Sequence, residues 1–582
     1  MKRGASAIFS ECHDDKQGDT VSKALKQHDI EDSNATAKAP SGPSSLRDAF
    51  NWPVDMVAVI LQDESRMARL KESLHSTWRL TSNYSGLCTE ETAFQALRAG
   101  LRAHAEKLGL RDEKAEVLPV EFHSACDADG VCQGLALGIP GSRQAQHYFQ
   151  QLDDVLVSEV QQELNAMEQS MPSIRGNMSK DCRAEVLQQR VDAYEAMGEY
   201  LLQRSSEPEP MVKAECFCVK HLQECRLNAS TAQAAQSAQC SPGADAESNA
   251  AKDHSLEVAG LTCVAFSSYG KHEGLGHESM RPFYTWCVLM RFRRPLLLIM
   301  ESASAFPKGK LQMFLEDLYH LEFVDHPGPC FHGWPIRRPR MYCLGFLRSQ
   351  VTFVGSVAEY TALFRRTVEM DGNALFFLPH DHAEIVQEFQ LLCKRRGFQM
   401  ADEMSQQSWD RCYPANQQSI LQQHRARMAK KHGDTNEDEA YILDLDQNFG
   451  FAQAGPWWPC VITHGTIHSL QKGRHATVSE LFAAQGFPTD LLLKAPYSPA
   501  FLEKVQASIA ERDPRWSKAV WHKMIGNAMF VPTLGSMILY ALSSIEWQPA
   551  TLFTMKSRLT FSFEDSQHQE DLTGEMAADA GF

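Results

Sequence analysis

Between residues 256 and 347 the chain reads, in order, LEVAGLTC (256–263), RPFYTWCVLMRF (281–292), PLLLIME (295–301), KLQMFLEDLY (310–319) and MYCLGFL (341–347). The first, third and fifth are short apolar runs of the kind buried strands need, and the second and fourth carry apolar residues at helical spacing. This β-α-β-α alternation predicts an α/β fold, a doubly wound and mostly parallel sheet whose ligand sites lie at the carboxyl ends of the strands. Towards the N-terminus the alternation continues. Residues 78–84 read as a strand, Ser85-Gly86 as a turn and 90–108 as a helix. A strand ending at Cys126, a short helix GVCQGLAL (130–137), a strand HYFQ (147–150) and a helix over 155–169 follow.

The flanks read differently. Residues 1–50 are polar and aperiodic, as in a disordered arm, and 226–255 are Ala/Ser/Gln-rich, as in a flexible insert. The acidic end, from Glu564, lacks the apolar surface that would offset ordering entropy. The expected organisation is an arm (1–50), an α/β domain (51–350) with a long insert at about 156–255, a smaller domain (351–456), a return to the first (457–548) and a tail (549–582). No internal repeat is evident.

Composition narrows the function classes. The 582 residues suffice for about three or four domain-sized units, and 43% hydrophobic with 22% charged residues is ordinary for a globular protein. Lys and Arg number 57 against 73 Asp and Glu, a formal charge of −16, which excludes a non-specific polyanion binder. A nucleic-acid site must then be a local basic cleft. No apolar run reaches the roughly 18 residues of a membrane span; 531–545 comes nearest and is interrupted by Gly535 and serines. The start MKRGASAIFSECHDD has no apolar signal region, and the 16 cysteines suit a reducing compartment, so a nuclear or cytoplasmic protein is expected.

Cys263 stands at the carboxyl end of its strand, entering a loop of small residues, where a nucleophile would be placed; alone, such a cysteine is more often a core thiol. Its company changes the reading. Glu301 ends the neighbouring strand, and GWPIRRPRMYCLGF (333–346) puts Arg337, Arg338 and Arg340 just before another. A thiol, a carboxyl and alternating arginines on one sheet edge can attack and polarise a planar heterocycle. RHATVSELFAAQGFP (474–488) and HKMIGNAMFVPTLGSMILYAL (522–542) add a capped helix, a Gly-Phe-Pro turn and a Gly-Asn-Ala turn.

In this order the motifs resemble those of the cytosine-5 methyltransferase family, which acts on DNA and, in one branch, on tRNA. Thr262-Cys263-Val264, followed by Phe266, Ser267 and Gly270, resembles the family's Pro-Cys-Gln loop; Glu301-Ser302-Ala303 resembles its Glu-Asn-Val; and 336–340 resembles its Gln-x-Arg-x-Arg. Arg474, Glu480 and 485–488 resemble its Arg…Glu…Gln-Gly-Phe-Pro, and Gly526-Asn527-Ala528-Met529 its closing Gly-Asn-Ala-Val. Tyr84-Ser85-Gly86-Leu87 resembles the turn that holds S-adenosylmethionine. Thr262, Val264, Ser302, Ile336, Cys88 and Thr89 depart from the pattern.

The resemblance implies a Rossmann-like methyltransferase domain with a small target-recognition domain, and S-adenosyl-L-methionine as cofactor. Cys263 would be the nucleophile towards cytosine carbon 6 and Glu301 the partner of ring N3, with a raised pKa. Arg340 would bind the base's O2, and Arg338 would fix the loop or a phosphate. The cofactor would meet Tyr84, Ser85, Gly86, Leu87, Asp127, Ala128, Gln151, Asn527 and Ala528. Asp127 would serve the ribose hydroxyls and Gln151 the adenine amino group. DNA, or alternatively tRNA, would meet Ser267, Arg474, and Arg425 and Arg427 of the basic run HRARMAKKH (424–432). A relative that binds nucleic acid or a partner without turnover is the competing reading. Finally, Cys216, Cys218, His221 and Cys225 lie at spacings outside the common zinc-finger patterns. They are expected to be ordinary reduced side chains, with zinc the alternative.

Overall fold

The apolar runs pair side by side at the centre of a nine-stranded sheet. The computed structural model describes residues 39–87, 89–110, 116–138, 145–227, 254–261, 264–267, 273–398, 406–432, 440–450, 454–488 and 517–548. The strands are β1 (Trp78–Asn83), β2 (Val120–Cys126), β3 (His147–Phe149), β4 (Glu215–Cys218), β5 (Gln223–Arg226), β6 (Ser255–Gly260), β7 (Leu297–Ala303), β8 (Tyr319–Asp325) and β9 (Arg340–Leu347). Their order is β5-β4-β3-β2-β1-β6-β7-β9-β8. The inner five, from β3 to β7, are parallel throughout. Only β4 and β9 run against the rest.

Burial explains why these segments are strands. Every residue of β7 is buried, so it reads as a continuous apolar run rather than an alternating one. Its side chains still divide by parity: Leu297 and Ile299 join one core, Leu298 and Met300 the other. The helices after β1 and β2, Thr89–Ala103 and Gly130–Gly138, cover the first face together with Trp52–Ile60 and Val531–Ser543. Those after β6 and β7, Met280–Arg293 and Lys308–Leu315, cover the second with Lys180–Arg204. The chain therefore changes face between β1 and β6, which opens a crevice at their carboxyl ends.

Three features depart from the expected sheet. β9 is antiparallel to β7, with Arg340 opposite Ala303, so its first residue lies at the carboxyl end of β7. A parallel strand would have put its first residues at the opposite edge. Second, β8 pairs with the outer side of β9 where only the end of a helix was expected. Third, the expected insert at about 156–255 adds a hairpin, β4–β5, to the edge of the sheet beyond β3.

A separate small core gathers Leu378, Ile385, Phe389, Trp409, Tyr413, Leu421, Leu443 and Leu445. It lies among the helices Ala383–Arg396, Gln406–Cys412 and Ala415–His432 and a small three-stranded sheet formed by Ile442–Asp444, Ile467–Ser469 and Arg474–His475. Among the described residues, Lys518–Ser543 is the one span long and apolar enough to cross a membrane by composition. Of its most apolar window, 94% is buried as core.

Candidate active site

The crevice is built first by a turn. Tyr84 and Gly86 both adopt left-handed backbone, φ 57° and 48°, which reverses the chain directly after β1. Ser85 ties this turn to the end of β2: its Oγ accepts from the Cys126 N–H (3.1 Å) and donates towards the Ser82 and Cys126 carbonyls. Asp127 then accepts from the Gly86 N–H at 2.8 Å through Oδ2 and from the Asp129 N–H at 2.9 Å through Oδ1. Burial raises the Asp127 pKa, and the two amide bonds and Lys523 oppose the rise. Lys523 forms an ion pair with Asp129, which brings the helix Lys518–Asn527 to the rim. Ala128 and Asn527 are exposed, Ala528 and Leu87 are buried, and Gln151 is exposed just beyond β3.

The floor of the crevice is Gly260, the last residue of β6. A methyl group built on it would lie 3.8 Å from the Tyr84 carbonyl oxygen, 3.9 Å from Glu301 Oε2 and 3.9 Å from Met529 Cε. Three separate elements therefore converge on one glycine: the turn after β1, the end of β7 and the Gly-Asn-Ala-Met segment. Glu301 is 5% exposed and forms an ion pair with Arg340, Nε to Oε1 at 2.9 Å. Arg340 also donates Nη1 to the Pro339 carbonyl. The Leu261 N–H donates to the Glu301 carbonyl at 2.9 Å, which registers the start of the cysteine loop against β7. Thr262 and Cys263 lie outside the described residues, as does Cys88. On the far side of the loop, Phe266 meets Phe306 edge-on at 5.3 Å, and Ser267 is half-buried.

Arg338 does not face a ligand. It is 3% exposed and donates to the carbonyls of Val461 (2.8 Å), Gly526 (3.1 Å) and Ala528 (2.8 Å). Of its two expected roles, phosphate binding is thus corrected to fixing backbone: its fork holds the returning chain against the start of β9. The late motifs brace one another in the same way. Gln485 donates to the Ile525 carbonyl, the Val531 N–H donates to the Gln485 carbonyl, and a side chain at Gly526 would strike the Thr463 nitrogen at 2.4 Å.

Arg474 needs the same correction. It is 1% exposed, forms a forked pair with Glu480 at 2.7 and 2.8 Å, and donates to the Leu378 and His475 carbonyls. A guanidinium so enclosed reaches no phosphate. Arg425 and Arg427 lie on the helix Ala415–His432 of the small core. Arg425 pairs with Asp410, and the exposed Arg427 lies over the Phe449 ring at 5.9 Å.

Several residues of the site carried too weak a sequence signal to be singled out. Glu90, in the first turn of the helix after the Tyr84–Gly86 turn, is fully buried, and burial pushes its pKa up to about 7. Glu257 on β6 is likewise pushed to about 7 by burial, though Arg293, Asn83 and Trp286 oppose the rise. The hairpin residues lie at the other end of the sheet: Cys218, His221 and Cys225 gather around His147, which replaces Cys216 in the expected set.

No protein-family model and no curated protein sequence matches the chain. Among solved structures it is similar to one assigned as a DNA modification methyltransferase encoded within an E. coli prophage. The identity is 11% over 80% of this chain and 98% of that one, with a TM-score of 0.35. It is also similar to the S. pombe Dnmt2 methyltransferase (11% identity, 80% and 98% coverage, TM-score 0.33) and to the Entamoeba histolytica methyltransferase EhMeth (9% identity, 80% and 98% coverage, TM-score 0.32).

Proposed function

We propose that the chain is a cytosine-5 methyltransferase acting on DNA, with S-adenosylmethionine as methyl donor. The observation that carries the reading is the convergence on Gly260: a buried, arginine-paired carboxyl, a left-handed turn and the Gly-Asn-Ala-Met segment meet three residues before Cys263 in the sequence. The crevice also fits the cofactor chemically. Asp127 offers carboxylate oxygens for ribose hydroxyls, and the turn at Tyr84–Gly86 leaves backbone open to close approach, since a methyl on Gly86 would meet nothing nearer than 3.9 Å. When bound there, S-adenosylmethionine supplies the methyl group that cytosine carbon 5 receives.

The protein's part is to make carbon 5 nucleophilic. The Cys263 thiolate adds to carbon 6, and the ring electrons move towards N3, where Glu301 holds or delivers a proton. Arg340, beside Glu301, supplies positive charge for the ring carbonyl. Loss of the carbon 5 proton with β-elimination then returns the thiolate. The target base lies stacked in a duplex, so it must be flipped into the crevice. The exposed Arg427 is a candidate for the backbone contacts that offset the few kcal/mol this requires.

The reading is tested with methyl-labelled S-adenosylmethionine and an unmethylated cytosine-containing duplex. It expects label in 5-methylcytosine. Cofactor binding without label in DNA would remove the DNA reading; label appearing in a structured tRNA would move the same chemistry to RNA.

A further inference from the structure

A second cluster of chemistry-bearing side chains lies away from the crevice, at the edge of the sheet where the β4–β5 hairpin joins β3. His147 from β3, Cys218 from the end of β4, His221 from the turn and Cys225 from β5 bring one potential ligand atom each to within 4.8 Å of one another. The His221 Nδ1 lies 3.3 Å from Cys225 Sγ and 3.6 Å from Cys218 Sγ. A tetrahedral zinc ion with Zn–S of about 2.3 Å and Zn–N of about 2.0–2.1 Å requires ligand atoms roughly 3.4–3.8 Å apart. The two His221 separations lie close to those edges, and the 4.8 Å that bounds the whole group would need to contract by no more than about 1 Å to reach them.

We propose that His147, Cys218, His221 and Cys225 bind one structural zinc ion that fastens the hairpin to the sheet. The donor set is two thiols and two imidazoles, which suits zinc rather than calcium or magnesium. Four protein ligands leave no open position, so the role is structural and not catalytic.

Three further observations agree. The Nδ1 of His147 is buried without a hydrogen-bond partner. The Tyr148 N–H points at Cys218 Sγ from 3.3 Å, the kind of contact that supports a thiolate. The hairpin also needs an anchor: β4 meets β3 through a single residue pair, Phe149 with Cys218. One ligand on β3 and three on the hairpin would clamp that joint. Binding would release the two thiol protons to solvent, and two thiolates would neutralise the ion. Cys216 stands one strand repeat before Cys218, paired across the hairpin with Cys225, and is not in the cluster. Lys220, on the turn between the ligands, donates to the Ala145 carbonyl at 2.7 Å and fixes the turn over the chain leading into β3.

The test uses the full chain, purified under reducing conditions without chelator, with metal measured by inductively coupled plasma mass spectrometry. One zinc per chain is expected. Cys218→Ser and His147→Ala should each lower zinc retained through desalting about tenfold or more, whereas Cys216→Ser should retain it fully. Cobalt in place of zinc should give the strong visible absorption of a tetrahedral site with thiolate charge transfer. Wild-type protein that holds no stoichiometric zinc after addition of excess zinc and desalting would overturn the proposal. So would loss of zinc from Cys216→Ser equal to that from Cys218→Ser, or full retention by His147→Ala. Because the wild-type and Cys216→Ser measurements do not disturb the cluster, they decide the matter even if a ligand variant fails to fold.

Discussion

Gly260→Ala separates the site from the fold that carries it. The nearest atoms to the added methyl are the Tyr84 carbonyl oxygen at 3.8 Å, Glu301 Oε2 at 3.9 Å and Met529 Cε at 3.9 Å, all ordinary van der Waals contacts. No neighbour has to move. Alanine also restricts the unfolded chain more than glycine does, which favours folding by about 0.4–1 kcal/mol where the backbone is compatible. The expected change in stability is thus zero to slightly positive. The site fares differently, because a ring hydrogen-bonded to Glu301 at about 2.8 Å would have to share the methyl's space. Displacing bound reactants by about 1 Å reduces turnover on the order of 10²-fold, close to 2.7 kcal/mol of barrier. The assay pairs thermal unfolding with kcat/KM for methyl transfer to a cytosine-containing duplex and with S-adenosylmethionine affinity. A variant that melts like the wild type but loses about 10²-fold in turnover supports the placement. Turnover and cofactor affinity both within about twofold of wild type would refute it.

Other substitutions probe other links. Asp127→Ala removes the acceptor of the Gly86 and Asp129 N–H groups and should weaken S-adenosylmethionine binding measured by calorimetry while leaving DNA affinity nearly unchanged. Arg474→Met leaves Glu480 buried without its cation and should destabilise the fold by about 3–5 kcal/mol in urea unfolding, whereas Arg474→Met with Glu480→Leu should recover only part of that, because Glu480 also accepts from the buried Leu378 and Thr477 N–H groups. Glu90→Gln should change the pH profile of stability. The folded carboxyl holds its proton up to about pH 7 against an ordinary value of 4.5, so its contribution is intact below 4.5 and is lost as pH rises through 7. The glutamine variant should therefore gain on the wild type by roughly 3 kcal/mol between pH 4 and pH 8 in denaturant titrations, and a gain that does not vary with pH would remove the assignment.

The central strands were legible because both faces of β6 and β7 are buried, which leaves continuous apolar runs that periodicity recognises. Strand direction was not legible. Nothing in MYCLGFL distinguishes a parallel from an antiparallel partner, yet only the antiparallel choice puts Arg340 beside Glu301. The edge strand β8 did carry a signal, the alternation Tyr319, Leu321, Phe323 against His320 and Glu322, but it directly follows a helical run that masked it. Motif arginines were easy to find and hard to interpret, since Arg338 and Arg474 have the residue type of phosphate ligands and the burial of structural braces. Only packing separates the two. His147 is the hardest case: it lies far from Cys218 in sequence, and the pairing of β3 with β4 is what makes them neighbours.

The most direct test of the central claim is incubation of the full chain with S-adenosylmethionine and a duplex containing 5-fluorocytosine, followed by denaturing electrophoresis. Fluorine at carbon 5 cannot leave as the proton does, so elimination is blocked and the enzyme stays attached to the base. A denaturation-resistant adduct on DNA that disappears in Cys263→Ser is the predicted result. Absence of an adduct on both the duplex and a structured tRNA carrying the same base, or an adduct that persists in Cys263→Ser, would contradict the account.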